Sequence, residues 1–373
     1  MAGKIVNKLS LQKLLNSCTT KTFQVFNFGC RVNAAEINQL SQFFLDQGFK
    51  LSTTLPAEAL AKAGPPSIIL FNTCSITKKG DTESLSKIRV LQKKIPDAKI
   101  IVTGCANYAK LSNIYSFDNE NKEKILKSLH SYYSPKIGDK YTPYRRFLLK
   151  VQSGCTQNCT YCIVPKKRPY LFSLPISDAI KTIKKIENDY DEIIITGVNL
   201  IQYQYGFSNL LEKILAETKI KLISFGSIPL NCIDEKFIKL LDNPRISHFL
   251  HIPIQSGSDR ILKLMSRPYN REKIIETFKK IKNSCSPLFK GRYPKGEGFK
   301  FGTDVIVGFP TESEKDFEDT LDICKKIDFK KIHTFRYSPR PETEAQKLFE
   351  NNIKISKEEL KRRSLLIRNL VKK

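Results

Sequence analysis

Three cysteines stand close together in the run CTQNCTYC, at residues 155–162. This C-x3-C-x2-C spacing lets three thiolates bind three irons of one 4Fe-4S cube. Such clusters are normally held by four cysteines, so a triplet leaves one iron open, as a catalytic metal site does for its substrate. The alternatives are three unligated thiols and a zinc site, although zinc usually requires paired C-x2-C units or added histidines, and the four histidines lie elsewhere.

Three further cysteines each follow a predicted strand in the first third of the chain. Cys30 lies in GCRVN, Cys74 in NTC and Cys105 in TGC. A single buried cysteine is usually a small core residue, but ligands of an open α/β sheet gather beyond the carboxyl ends of its strands. These positions therefore predict a second, three-cysteine 4Fe-4S cluster. The other cysteines fit no motif and are interpreted as structural or incidental: Cys18, Cys232, Cys285 and Cys324.

The elements that position the second triplet alternate between strand and helix. We predict strands at residues 23–28, 68–72 and 99–103, with helices at 34–46 and 84–95. This alternation is typical of a parallel sheet between helices, and it predicts a three-layer α/β domain. A short leader helix (9–15) is expected within residues 1–21. Residues 113–150 break the pattern and predict a helix and a linker, so the first domain is placed at 22–144.

Six strand–helix units follow and predict a partial (β/α)6 barrel at residues 145–345. In such barrels the active site lies at the carboxyl ends of the strands. A basic helical tail is expected at 346–373, and residues 285–298 form an irregular basic insertion. The predicted strands are 147–152, 192–196, 221–226, 248–253, 300–307 and 331–336, and the predicted helices are 177–189, 209–217, 234–241, 259–266, 272–283 and 314–327.

The overall composition limits the classes of protein. No apolar run approaches the ~20 residues of a membrane span, and no signal peptide is present, so we expect a cytoplasmic protein without a membrane partner. Ten cysteines in such a chain favour metal or redox chemistry over disulfides. A net charge of +26 favours a polyanionic partner such as nucleic acid, although a lysine-biased genome produces the same charge.

These motifs carry a resemblance to a known family. C-x3-C-x2-C on the first strand of a six-unit barrel resembles the radical S-adenosylmethionine (SAM) superfamily, and the pair of domains resembles its methylthiotransferases. The resemblance extends from about residue 23 to 345, and we expect this protein to lack the small β-barrel (TRAM) domain with which most members of the family end. It rests on GCRVN (29–33), NTC (72–74), TGC (103–105), SGC (153–155), IPIQSGS (252–258) and DVIVGFP (304–310).

The resemblance implies a reaction and its cofactors. Cys155, Cys159 and Cys162 are expected to hold the catalytic 4Fe-4S cluster, whose open iron binds SAM and cleaves it reductively to a 5'-deoxyadenosyl radical. The cluster at the N-terminal triplet would supply sulfur, and a second SAM the methyl group. An external electron donor and a sulfur donor are then required. The implied SAM-binding residues are Tyr161, Gly197, Asn199, Gln255, Gly308 and Glu312.

Basic residues just past the cluster loop suggest an anion contact. Lys166, Lys167 and Arg168 could meet RNA phosphate or the SAM carboxylate, because cations serve either role, although lone surface lysines usually do neither. This region departs from the family, which has Arg-Gly and Ser-Arg where this chain has Arg168-Pro169 and Ser173-Leu174. Basic groups of both domains, the insertion and the tail would then hold RNA.

The family resemblance also implies the substrate. GCRVN resembles the GCKVN of members that act on threonylcarbamoyl-adenosine next to the tRNA anticodon, and this is the expected substrate. Isopentenyl-adenosine in tRNA is the second choice and an aspartate of a ribosomal protein the third. A noncatalytic iron–sulfur or RNA-binding module is the alternative from a different functional class.

Overall fold

The computed structural model describes residues 3–4, 7–52, 66–74, 78–106, 114–128, 146–284 and 298–371. The first domain is a parallel sheet in the order β1-β6-β5-β4-β2-β3. Its strands are β1 (Gly3–Lys4), β2 (Thr22–Asn27), β3 (Lys50–Leu51), β4 (Ile68–Thr73), β5 (Lys99–Gly104) and β6 (Ile114–Ser116). Its helices are α1 (Lys8–Asn16), α2 (Arg31–Asp46), α3 (Lys78–Lys94) and α4 (Asn119–Ser128).

Two separate apolar cores confirm the three-layer arrangement. Successive side chains of a strand point to opposite faces, so Leu70 of β4 packs with α1, α2 and α4 while Phe71 packs against α3. The leader helix α1 belongs to the first core, because Leu11 and Leu15 are buried there. The three central strands were predicted, whereas β1, β3 and β6 are too short to show a period in the sequence.

The second domain contains six parallel strands, as predicted. They are β7 (Arg146–Ser153), β9 (Glu192–Gly197), β10 (Leu222–Phe225), β11 (Phe249–His251), β12 (Lys300–Val307) and β13 (Lys331–Arg336), and the short β8 (Phe172–Ser173) pairs antiparallel with β7. Parallel pairing joins β7, β9 and β10 in one group and β11, β12 and β13 in another. Two parallel bridges, Ile223 to Ile246 and Ser227 to His251, connect the groups. The strands therefore form one open barrel wall.

The second domain also contains helices, most of which pack on the outer face of this wall. They are α5 (Val164–Lys167), α6 (Ile176–Ile186), α7 (Phe207–Glu217), α8 (Glu235–Leu240), α9 (Asp259–Leu264), α10 (Arg271–Asn283), α11 (Glu314–Ile327), α12 (Glu344–Glu350) and α13 (Lys357–Asn369). On β12, Phe301, Val305 and Val307 belong to the core shared with these helices. The alternating positions, including Asp304, face the barrel interior. No helix of the described residues is long and apolar enough to cross a bilayer.

The predicted tail contains α12 and α13, and α13 is docked on the barrel. Ile367 is fully buried in the barrel core. The guanidinium of Arg363 is 6% exposed and donates to Glu312 at 2.7 Å and to Glu314 at 3.0 Å. Several basic groups of this tail are therefore paired with carboxylates of its own chain. The linker and most of the basic insertion, including Cys285, lie outside the described residues.

A buried ion network joins the two domains where α2 packs on β7. Arg168, which follows α5, donates from Nη1 to Glu36 of α2 at 2.7 Å and from Nη2 to its other oxygen at 3.0 Å. Lys122 also pairs with Glu36, and Lys150 lies 3.4 Å from Glu36 and 2.7 Å from Glu123. Burial alone would raise the pKa of Glu36, but Arg168, Lys122 and Lys150 hold it well below its ordinary value.

We predict that Glu36→Gln destabilises the protein by about 3–5 kcal/mol, because removing one partner of a buried ion pair leaves uncompensated buried charge. Urea unfolding at neutral pH measures this loss. The control is Glu120→Gln on α4, which breaks the exposed pair between Glu120 and Lys124 and is expected to change the free energy of unfolding very little. If both substitutions lowered the free energy of unfolding equally, the ion network would not be the stabilising contact between the domains that we assign to it.

Candidate active site

The cluster loop directly follows β7 and contains Cys155, Cys159 and Cys162. Gly154 starts the loop at φ +85°, and a Cβ there would lie 2.1 Å from the carbonyl oxygen of Tyr170, so the close turn requires glycine. Thr160 anchors the middle of the loop: its hydroxyl donates to Leu264 at 2.7 Å, and its carbonyl accepts from Ala345 at 2.9 Å. Other elements of the barrel therefore hold the loop in place.

Polar donors surround the sulfur atoms of this loop. Arg267 Nη1 donates to Cys159 Sγ at 3.2 Å, and Asn199 Nδ2 donates to Cys155 Sγ at 3.5 Å. Burial raises the pKa of the Cys162 thiol to about 12, so a thiolate there requires a nearby positive charge or a metal. Sequence reasoning missed Arg267, which lies in SRPYN outside every quoted motif.

Three of the residues predicted to bind SAM lie at the cluster loop or next to it. Asn199, which follows β9, is buried, and its backbone N–H donates to Gln152 Oε1 at 2.7 Å. A Cβ on Gly197 would lie 2.7 Å from Leu200 and 3.0 Å from Gln152, so a larger residue would crowd this corner. Burial raises the pKa of Tyr161 well above its ordinary value. Their contacts with SAM remain predictions.

The other three lie where the IPIQSGS segment and the end of β12 meet. The backbone of Gln255 bridges β12, donating to Asp304 and accepting from Ile306, both at 2.9 Å. The N–H of Gly308 donates to Glu312 Oε2 at 2.7 Å, and the same oxygen accepts from Arg363. These contacts already engage one oxygen, Oε2, of the Glu312 carboxylate. Its predicted SAM contact, like those of Gln255 and Gly308, stays a prediction.

The N-terminal cysteines follow three neighbouring strands. Cys30 caps the start of α2 after β2, Cys74 follows β4 and Cys105 follows β5, and these strands are adjacent in the sheet. The predicted strand-end placement is therefore confirmed. Cys30 is exposed, Cys74 half-buried and Cys105 buried. Whether these thiols bind a cluster remains a prediction.

Arg168 connects the two triplets. Its carbonyl oxygen accepts from the backbone N–H of Cys155 at 3.0 Å. Its guanidinium donates to Asn33 Oδ1 at 2.8 Å, the oxygen that also accepts from Cys30 Sγ at 3.6 Å, and it lies beside Cys105. Both triplets therefore lie on one interdomain face. The prediction that Arg168 meets RNA phosphate or the SAM carboxylate is wrong, because its side chain is 2% exposed and paired with Glu36.

Lys166 and Lys167 have different surroundings. Lys166 Nζ is exposed and lies 3.1 Å from the Glu342 carboxylate, and the Lys167 side chain is half-buried. An exposed ion pair contributes little and opens readily. An RNA contact by Lys166 therefore remains a prediction that the geometry allows.

The donor set fits clusters rather than single ions. Among the described residues, one group of three His, Cys, Asp or Glu side chains is close enough to share a single metal ion. It consists of His251, Asp304 and His333. The thiols of each triplet are thus spread more widely, as ligands of separate irons in a cube must be. The loop sulfurs also have Arg267 beside them, and a nearby cation favours ligation by the charged thiolate.

The four cysteines outside the two triplets have structural surroundings where they are described. Cys232 and Cys324 are buried in the barrel core, where burial raises the pKa of each thiol to about 12. Cys18 donates to the carbonyl oxygen of Leu14 at 3.4 Å. These positions agree with the interpretation of such cysteines as core or packing residues.

We predict that Arg363→Gln destabilises the protein more at pH 8 than at pH 5. Burial raises the folded-state pKa of Glu312 from 4.5 to about 7. As pH rises through that interval, the buried carboxyl ionises and the free energy of unfolding falls. Arg363 offsets part of this loss by pairing with the carboxylate. Without the arginine, the loss at pH 8 should reach about 3 kcal/mol, and protonation of Glu312 should reduce it at pH 5. Urea unfolding at both pH values measures it.

Arg362→Gln is the matched control, because the Arg362 side chain is 46% exposed. Its loss is expected to be much smaller and the same at either pH, because solvent screens an exposed pair. An Arg363→Gln loss that is the same at pH 5 and pH 8 would contradict the role given to the buried Glu312 charge.

Comparison with known proteins identifies both domains. Residues 22–125 match the Uncharacterized protein family UPF0004, and residues 149–324 match the Radical SAM superfamily. Among solved structures, the radical S-adenosylmethionine methyltransferase TsrM of Kitasatospora setae, with cobalamin and a [4Fe-4S] cluster bound, superposes with a TM-score of 0.61. The match covers 88% of this chain and 77% of that chain at 12% identity, which establishes a shared fold.

Curated relatives are more similar in sequence. The chain is 31% identical over 351 residues to the threonylcarbamoyladenosine tRNA methylthiotransferase MtaB of Aquifex aeolicus, covering 86% of this chain and 81% of the relative. It is 34% identical over 310 residues to the tRNA-2-methylthio-N(6)-dimethylallyladenosine synthase of Helicobacter acinonychis, covering 74% and 68%. With this extent of similarity, and with both cysteine triplets in place, the chain belongs to the radical-SAM methylthiotransferase family.

Proposed function

We propose that this enzyme is a tRNA methylthiotransferase that modifies C2 of N6-threonylcarbamoyladenosine next to the anticodon. The observation that carries the proposal is the position of Arg168, whose main chain binds Cys155 while its side chain contacts Cys105 and, through Asn33, Cys30. Radical formation and sulfur transfer need two sites that act on one substrate atom. An arginine shared by both cysteine triplets supports such a pair of sites.

As a radical-SAM enzyme, the chain uses a 4Fe-4S cluster and SAM, which together supply the radical that removes hydrogen from an unreactive carbon. We propose Cys155, Cys159 and Cys162 as the ligands of this cluster. Arg267 would then offset negative charge at the Cys159 sulfur, and Asn199 would orient the Cys155 sulfur through its amide. The protein's contribution is position and electrostatics, while the cofactors carry the difficult chemistry.

The second triplet is proposed to hold the second 4Fe-4S cluster, which supplies sulfur. Cys30, Cys74 and Cys105 follow adjacent strands, and an open sheet directs the loops at its strand ends toward a common ligand. The side chain of Arg168 lies beside Cys105 and places a positive charge at this end of the sheet. An external electron donor and a sulfur donor complete the proposed cycle, which would take place in the cytoplasm.

A tRNA substrate is supported by the charge of the chain and by its relatives. The net charge of +26 suits a polyanion, and the names of both curated relatives specify tRNA modification. Phosphate contacts release counterions, so binding should weaken steeply as salt rises. Lys166 is an exposed cation near the cluster loop that is suited to such a contact.

Threonylcarbamoyl-adenosine is preferred because GCRVN resembles the sequence typical of that subfamily, and because the Aquifex aeolicus relative covers the larger share of this chain. The alternative tRNA substrate is isopentenyl-adenosine, favoured by the slightly higher identity to the Helicobacter acinonychis relative. A ribosomal-protein aspartate is a third candidate, which the high positive charge makes less suitable.

We predict about eight irons per chain after anaerobic reconstitution, and about four in a Cys155→Ala/Cys159→Ala/Cys162→Ala variant. Only the wild type should form 5'-deoxyadenosine from SAM and reductant. Iron analysis and chromatography of the SAM products measure the two quantities. A Cys232→Ala variant is the control, because that core thiol lies in no triplet, and it should keep all its iron. About four irons in the wild type would refute the second cluster.

The substrate is tested separately with two tRNAs, one carrying threonylcarbamoyl-adenosine and one carrying isopentenyl-adenosine. We predict that nucleoside mass spectrometry detects a methylthio group on the first base and little on the second. An unmodified adenosine at the same position is the control and should remain unchanged. Preferential modification of the isopentenyl base would replace the preferred substrate with the alternative and leave the reaction class intact.

A further inference from the structure

Two histidines and one aspartate meet on the inner face of the barrel, on its last three strands. His251 Nε2 lies 2.9 Å from Asp304 Oδ1, and His333 Nδ1 lies 3.1 Å from the same oxygen. One ligand atom from each residue lies within 4.8 Å of the others. None of the three belongs to the cysteine sites or has a role in the proposed reaction.

The strand register fixes this cluster. Asp304 of β12 is the direct partner of His333 on β13, and His251 of β11 pairs with Gly302, two residues before Asp304. Residues two apart on a strand share a face, so all three side chains converge on the interior. A Cβ on Gly302 would lie 2.7 Å from His251 Nδ1 and from Phe249 Cζ. Gly302 therefore leaves space for the imidazole ring.

The charge around Asp304 points to a cation. Each buried carboxylate of the described residues pairs with an arginine or a lysine: those of Glu36, Glu123, Glu192, Glu312 and Asp316. Asp304, at 21% side-chain exposure, pairs within the described part of the chain only with the two imidazoles. A carboxylate so placed either accepts hydrogen bonds from the two imidazole N–H groups or binds a metal ion together with the two rings.

The distances suit a metal ion bound by all three residues. Ligand atoms about 2.1 Å from one ion, at angles of 90–110°, lie about 3.0–3.4 Å apart, close to the observed nitrogen–oxygen separations. Two imidazoles and one carboxylate on one side of an ion leave open positions, a set that first-row divalent metals occupy in proteins. The His333 side chain is 47% exposed, so solvent and ions can reach the cluster.

We propose that His251, Asp304 and His333 form a binding site for one divalent transition-metal cation of the Mn²⁺, Fe²⁺ or Zn²⁺ class, separate from the iron–sulfur clusters. Imidazole ligands favour these ions over Mg²⁺ and Ca²⁺, which prefer oxygen alone. The site lies on the interior of the barrel wall, and its open positions would accept solvent or an oxygen atom of a bound substrate.

Mn²⁺ titration followed by electron paramagnetic resonance tests the site without measuring activity. Full-length protein is reconstituted anaerobically, loose iron is removed by a chelator and desalting, and the clusters are kept in their diamagnetic oxidised state. We expect one Mn²⁺ per chain in the wild type, displaced by equimolar Zn²⁺ because Zn²⁺ is higher in the affinity order for such ligands. His333→Gln and Asp304→Asn should each weaken Mn²⁺ binding at least tenfold.

His248→Gln is the matched control, because that histidine is buried against Phe299, 5.0 Å between ring centroids, and is not part of the cluster. It should bind Mn²⁺ as the wild type does. His333 is half-exposed, so its substitution should leave the fold and the cluster iron unchanged, which circular dichroism and iron analysis check. Equal Mn²⁺ affinity in the wild type, in the control and in the His333→Gln and Asp304→Asn variants would overturn the proposal. The three side chains would then form only a hydrogen-bonded His-Asp-His network.

Discussion

The buried pair between Glu36 and Arg168 is the interaction on which the arrangement of both cysteine sites depends. Glu36 lies on the helix that Cys30 caps, and Arg168 ends the loop that contains Cys155, Cys159 and Cys162. Burying two charges costs several kcal/mol per ion, and only close geometry with further hydrogen bonds offsets this cost. The two parallel contacts, at 2.7 and 3.0 Å, provide that geometry. The pair therefore fixes the start of α2, where Cys30 lies, relative to the loop that contains Cys155, Cys159 and Cys162.

The charges around this pair also suit sulfur ligands. Lys122, Lys150 and Arg168 bring three positive charges to two carboxylates, those of Glu36 and Glu123. Arg168 is the member of this network that lies beside Cys105. The same network thus joins the domains and places positive charge beside the N-terminal triplet.

Sequence patterns predicted most of the framework and could not predict the interface. Long strands such as β12, and the cysteines that follow β2, β4 and β5, were recognised because apolar runs and strand-end positions are local signals. Strands of two or three residues, such as β1 and β3, were missed because they are shorter than any period. The buried role of Arg168 was also missed, since its partner Glu36 lies 132 positions away. A basic run in sequence does not show which of its members is buried.

The central claim is that the two cysteine triplets hold two clusters on one face, close enough to act on the same substrate atom. The most direct measurement is electron paramagnetic resonance of the reconstituted enzyme with both clusters reduced. Our account predicts a spectrum broadened by magnetic interaction between two clusters, which becomes that of a single isolated cluster in a Cys30→Ala/Cys74→Ala/Cys105→Ala variant. Two sharp, non-interacting spectra, or a wild-type spectrum unchanged by that substitution, would contradict the account.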